Sequence, residues 1–88
     1  MPPIANSQSL VTALQLRQLL RAARKRSKLS QTAVASRLGL SQNRVSYLEL
    51  HPDEISFRQL LSWCAAVSLE LRLGERDTRA PEVQKTEW

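Results

Sequence analysis

Apolar residues recur at helical spacing along most of this chain and at strand spacing in one short stretch. From Leu10 to Arg26, Ala13, Leu16, Leu20 and Ala23 share a stripe with Leu19 beside it, while Arg17, Arg21 and Lys25 follow one another four residues apart. That is an amphipathic helix with a basic flank. Ser30 is placed to cap a second helix over Gln31–Leu38, and Gly39, tolerant of positive φ, ends it. Ser41 caps a third helix over about Gln42–Leu50, which Pro52 stops. Ser56 followed by Gln59 is a capping box that opens a fourth, with Ile55 and Leu60 spaced as a hydrophobic staple. Phe57, Leu60, Leu61, Cys64 and Val67 then repeat at helical spacing.

The period changes at Ser68. Leu69, Leu71 and Leu73 alternate with Glu70 and Arg72, and Gly74 closes the run. This predicts a strand over 69–73, the one strand signal in the chain. A lone strand cannot satisfy its own backbone, so it must pair outside the chain. The simplest partner is the same strand of a second copy, giving an intersubunit ribbon in a homodimer. The competing reading, one more turn of helix, conflicts with three leucines that cannot share one helix face. Residues 1–9 read as a flexible start, 10–74 as one domain, and the charged, Pro81-containing 75–88 as a disordered tail. Trp88 on that tail is either incidental or an anchor for a pocket on a partner.

Composition narrows the classes. The chain has 88 residues, 42% apolar and 24% charged, which suits one small globular domain. One cysteine, Cys64, can form no intramolecular disulfide and no structural zinc site, and it reads as a buried small hydrophobe. No apolar run is long enough to span a bilayer. Glu49 and His51 lie close in sequence, but no nucleophile or glycine-rich phosphate loop accompanies them. Glu49 is read as a helix-ending carboxylate bonded to backbone or to an arginine, and His51 as an exposed loop residue. The expectation is a non-enzyme with no metal, cofactor, membrane or small-molecule substrate.

Charge adds a direction. The net charge is +5, yet residues 1–48 carry eight basic side chains and no acid, while all eight acids fall from Glu49 onward. Such a basic half suits a polyanion.

Gln31–Leu50 also has the form of a helix-turn-helix, whose demands can be checked singly. A small residue, Ala35, stands where the helices cross. Gly39 stands in the turn, and Val34, Leu38, Leu40, Val45 and Leu48 supply the inner faces. Gln42, Asn43, Ser46 and Tyr47 form a polar outer face, with Arg44 beside them.

The runs Leu20-Arg21-Ala22-Ala23-Arg24-Lys25, Leu29-Ser30-Gln31, Ala35 to Gln42 and Val45-Ser46-Tyr47-Leu48-Glu49 resemble the Cro/C1-type, or Xre, family over about Leu16 to Val67. Glu49 to Asp53, Ser68 to Leu73 and the ending Glu87-Trp88 look like its HipB-type antitoxins. Lys28 departs from the family's frequent Gly, and Ala33 from its frequent Glu. The resemblance implies an all-α domain of four to five helices, lambda-repressor-like, joined as a homodimer by a small intersubunit sheet. It also implies a bacterial, cytoplasmic repressor of its own operon that binds a larger HipA-type serine/threonine kinase toxin.

Groove chemistry assigns the expected roles. The second helix of the motif presents its N-terminal residues to base edges in the major groove. Ser41, Gln42, Asn43, Ser46 and Tyr47 are the candidate base contacts, and Gln or Asn can bond adenine bidentately. Lys28, Gln31, Arg37 and Arg44 are candidate phosphate contacts; Arg44 could equally reach a base. Leu69, Leu71 and Leu73 are the candidate dimer contacts, and double-stranded DNA with a palindromic operator is the expected partner. A stand-alone Xre repressor without a toxin shares all of this but the kinase, and a protein-only adaptor would share the fold alone.

Overall fold

The computed structural model describes residues 7–76. Four helices follow in order: α1 Ala13–Arg26, α2 Gln31–Leu38, α3 Gln42–Leu50 and α4 Phe57–Ala66, with a 3-10 turn at Pro52–Glu54 between the last two. The ends of residues 1–9 and of the tail, with Trp88, lie outside the described residues.

Side chains at the caps set the helix starts. The Ser30, Ser41 and Ser56 hydroxyls accept from Ala33 N, Arg44 N and Gln59 N at 3.0, 3.0 and 3.1 Å. Each satisfies one of the N–H groups a first turn leaves without a partner. Gln59 reaches back to Ser56 N at 3.2 Å and completes the expected capping box. Helix α1 begins three residues later than the hydrophobic pattern suggests. Thr12 caps it through a second capping box with Gln15, which draws in Val11 N and Ser9 O as well. Leu10 and Val11 therefore precede the helix and are exposed.

The core is formed by Leu20 and Ala23 of α1, Val34 and Ala35 of α2, Val45 and Leu48 of α3, and Trp63, Cys64 and Val67 at α4. Burial raises the Cys64 thiol above its ordinary pKa, so the inert apolar role holds. Trp63 is the largest fully buried side chain, and it was not on the predicted stripe of α4. Helix α4 turns its 60, 63, 64 and 67 positions inward, which leaves Phe57 67% and Leu61 45% exposed on the outside. The Trp63 indole N–H has no acceptor among the described residues. That cost is offset by the large aromatic area it removes from water.

Three turns end in the left-handed region, and only one has a glycine there. Gly39 has φ +71, but Lys28 has φ +60 and Ser68 φ +63. After α1, Leu29 N bonds Arg24 O at 3.0 Å and Lys28 N bonds Lys25 O at 2.9 Å. This Schellman motif explains why a glycine is favoured at that position. After α4, Leu69 N bonds Cys64 O at 2.8 Å and Ser68 N bonds Ala65 O at 3.4 Å. The helix therefore ends at Ala66, and the alternative of a further turn through the leucines is excluded. Residues 69–76 are neither helix nor paired strand within this single chain. Leu69 packs on the core, while Leu71 is 37% and Leu73 98% exposed.

A side chain in the left-handed region costs about 1–2 kcal/mol, and glycine loses about half of that gain to chain entropy. Lys28→Gly and Ser68→Gly should each stabilise the fold by about 0.5–1 kcal/mol. Urea denaturation followed by helical circular dichroism reads this as a raised midpoint with unchanged slope.

Candidate nucleic-acid interface

Helices α2 and α3 pack closely across Gly39, and the outer face of α3 carries the polar residues. Gln42, Asn43 and Arg44 are exposed in its first turn, behind the Ser41 cap, and Ser46 lies half-buried one turn on. Tyr47 is 41% exposed and belongs to a different local arrangement. Its hydroxyl donates to Glu54 Oε2 at 2.8 Å, its ring packs against His51 at 4.5 Å between centroids, and the Arg44 guanidinium lies 5.6 Å over it. The hydrogen bond to Glu54 is the main reason its pKa is raised. Tyr47 thus offers a ring edge rather than a free hydroxyl.

A chain of hydrogen bonds fixes the polar face of α3 to the core. Arg24 of α1 binds Glu49 at the end of α3 through Nε to Oε2 at 2.7 Å and Nη2 to Oε1 at 3.1 Å. Its remaining nitrogen, Nη1, donates to Leu29 O at 3.1 Å. Glu49 Oε1 also accepts from Gln31 Nε2 at 3.0 Å, and Gln31 Oε1 accepts from Gln42 Nε2 at 3.0 Å. Glu49 is buried, so its charge is tolerated only because three donors surround it. The arginine partner expected for Glu49 is Arg24. The sequence pattern did not single out Arg24, because 25 residues separate the pair.

The other candidates are placed as follows. Gln31 stands at the start of α2, where the helix N-terminus leaves N–H groups without helical acceptors. Its side chain is shared between Glu49 and Gln42. Lys28 is exposed in the turn before it. Arg37, at the other end of α2, donates through Nη1 to Ala66 O at 3.1 Å and so caps the last turn of α4. The structure brings Gln31, Gln42, Asn43 and Ser46 together and ties Arg37 to α4.

Beside this face lies a cleft of about 230 Å³. Arg17, Arg21 and Arg24 of α1 line one side, and Gln31, Ser46 and Glu49 the other. The four-residue spacing of Arg17 and Arg21 is visible in the sequence as a basic flank, but its position opposite α3 is not. Among the described residues no group of three or more His, Cys, Asp or Glu could hold a metal, and no helix is long and apolar enough to cross a membrane.

A helix-turn-helix family model matches residues 20–72, which include all of α2, α3 and α4. The chain belongs to the Cro/C1-type helix-turn-helix family. It is therefore a DNA-binding helix-turn-helix protein, with α3 as the recognition helix of the motif. Among solved structures, the HipB–O1–O2 complex in one crystal form is similar, with a TM-score of 0.69 at 20% sequence identity. The match covers 78% of this chain and 100% of that one. At that identity the likeness establishes a common fold. A comparison with curated proteins finds no match.

Proposed function

We propose that this chain is a homodimeric, sequence-specific repressor that controls its own operon, and an antitoxin that binds and neutralises a HipA-type serine/threonine kinase toxin. The observation that carries the reading is the α3 face: Gln42, Asn43 and Ser46 stand together at the start of the recognition helix, with Gln42 braced through Gln31 and Glu49. Bracing matters because a long polar side chain held in place loses less entropy on contacting a base. The similarity to HipB in its complex with O1–O2 supports the antitoxin branch of the family.

Dimerisation is supported by the apolar surface left uncovered. At the opposite end of the described residues from another exposed group, Leu10, Val11 and Leu14, the side chains of Phe57 and Leu61 on the outside of α4 and of Leu71 and Leu73 after it are exposed. A second copy covers them when the 69–73 segments pair as an antiparallel ribbon. Two recognition helices related by that two-fold axis fit a palindrome with half-sites about one helical turn apart. Residues 75–88, with Trp88, are the proposed partner-binding tail.

Selection from a random duplex library tests the DNA reading, and the expected product is a palindrome. A pull-down of the tagged chain from its host's lysate, with nuclease added, tests the antitoxin reading. A stoichiometric kinase-like protein that survives nuclease is the expected result. Recovery of the chain alone as a DNA-binding dimer favours a stand-alone repressor. Removing residues 75–88 should leave operator affinity unchanged while the kinase partner is lost.

A further inference from the structure

The cleft beside the recognition helix has a charge that the fold itself does not use. Of its three arginines, Arg24 is satisfied by Glu49 and Leu29 O. Arg17 and Arg21 are exposed and, among the described residues, have no carboxylate within salt-bridge distance. They stand one helical turn apart on α1, so two like charges share one wall. Glu49 cannot offset them, because its two oxygens already serve Arg24 and Gln31. The cleft is thus cationic by about two charges, and its volume of about 230 Å³ has room for an anion and its waters.

Its opposite wall belongs to the reading face. Ser46 lines the cleft and stands one turn along α3 from Gln42. Gln31 lines it too and bonds Gln42 directly. A helix laid in a major groove brings its neighbouring surface up to the sugar-phosphate strands that border the groove, and the α1 wall adjoins α3 across this cleft.

We propose that this cleft seats one backbone phosphate of duplex DNA, held by Arg17 and Arg21, with Gln31 and Ser46 as polar partners on the far wall. The proposal rests on the DNA-binding reading and extends the phosphate-contacting surface onto α1. An arginine pair converging on one phosphate releases a counterion on binding and relieves the repulsion between the two guanidinium groups. Because a phosphate carries no sequence information, the seat sets register and affinity and leaves base preference untouched.

The test uses the full chain and the duplex it selects from a random-sequence library. Arg17→Ala with Arg21→Ala should weaken binding roughly tenfold per protomer and flatten the slope of log K against log salt by about 0.9 per protomer. The preferred sequence should stay the same. Arg17→Lys with Arg21→Lys should keep the slope, because charge alone releases the counterion. Both residues are exposed, so melting should be unaffected; a glutamine pair gives the same readout should the alanine pair melt early. Neutral methylphosphonates scanned along the duplex should find one position per half-site that weakens the wild type and leaves the alanine pair unchanged.

An unchanged salt slope in the alanine pair, or a changed preferred sequence, overturns the phosphate seat while the DNA reading stands. A wild-type chain that selects no sequence and binds no duplex overturns both. Inorganic phosphate at millimolar concentration that stabilises the wild type but not the alanine pair, with the DNA slope unchanged, assigns the cleft to a free anion and overturns the proposal.

Discussion

Glu49→Ala should cost about 3–5 kcal/mol of folding stability, a large share of the total a domain of this size has. Its side chain is 6% exposed and that of Arg24 11%, so both charges have left water. The carboxylate accepts from Arg24 Nε at 2.7 Å, Arg24 Nη2 at 3.1 Å and Gln31 Nε2 at 3.0 Å. Alanine removes all three and leaves a guanidinium with Leu29 O as its remaining acceptor. A buried charge without its partner is the expensive state; the pair itself is not strongly stabilising. Replacing both members, Arg24→Met with Glu49→Leu, should therefore recover most of the loss. Urea denaturation of the two single variants and the double variant gives the coupling directly. A Glu49→Ala cost below about 1 kcal/mol would place the pair with ordinary surface ion pairs. The double variant should still bind its selected duplex less well, because Gln31 would lose the acceptor that holds it toward Gln42.

Gln42→Ala with Asn43→Ala should abolish sequence preference while leaving the fold intact. Each good bidentate base contact is worth about 1–3 kcal/mol of discrimination, and the proposed dimer would make each contact twice. Both side chains are exposed, so the change in stability should stay within about 0.5 kcal/mol. Binding to random duplex at low salt should survive, since Arg17, Arg21 and Lys28 still supply positive charge. Fluorescence anisotropy on the selected duplex and on a scrambled one separates the two effects. A chain that acts only as a protein adaptor would show no difference between them. The two residues should also differ singly. Gln42 is braced by Gln31, whereas Asn43 has no hydrogen-bonding partner among the described side chains. Gln31→Ala should therefore reduce the Gln42 contribution and leave that of Asn43 unchanged, which a double-mutant cycle resolves.

Much of the architecture is local and was legible. The spans Gln31–Leu38 and Gln42–Leu50 are those the sequence predicts, because Ser30, Ser41 and Gly39 act on backbone within about four residues of themselves. The polar face of α3 was legible for the same reason: helical period alone puts Gln42, Asn43 and Ser46 on one side. The family match agrees with the resemblance in the Leu-Ser-Gln and Ala-to-Gln42 runs. The start of α1 was less clear, because Leu10 and Val11 continue an apolar pattern past a cap that only Thr12 and Gln15 together define.

By itself, then, the sequence determined the four helices, the turn, the polar outer face of α3 and the basic half. Tertiary structure alone decided which of two overlapping apolar stripes on α4 turns inward. Trp63 is buried and Phe57 exposed because α4 packs chiefly on α2 and closes the shared core with one face, and no spacing rule within α4 contains that surface. It also decided that Arg24 meets Glu49, that Gln31 links Glu49 to Gln42, and that Arg17 and Arg21 stand across a cleft from Ser46. Hydrogen bonds between side chains and nearby backbone are written in short range. Contacts between helices depend on the angle and distance at which the core lets them pack, and that is a property of the whole chain.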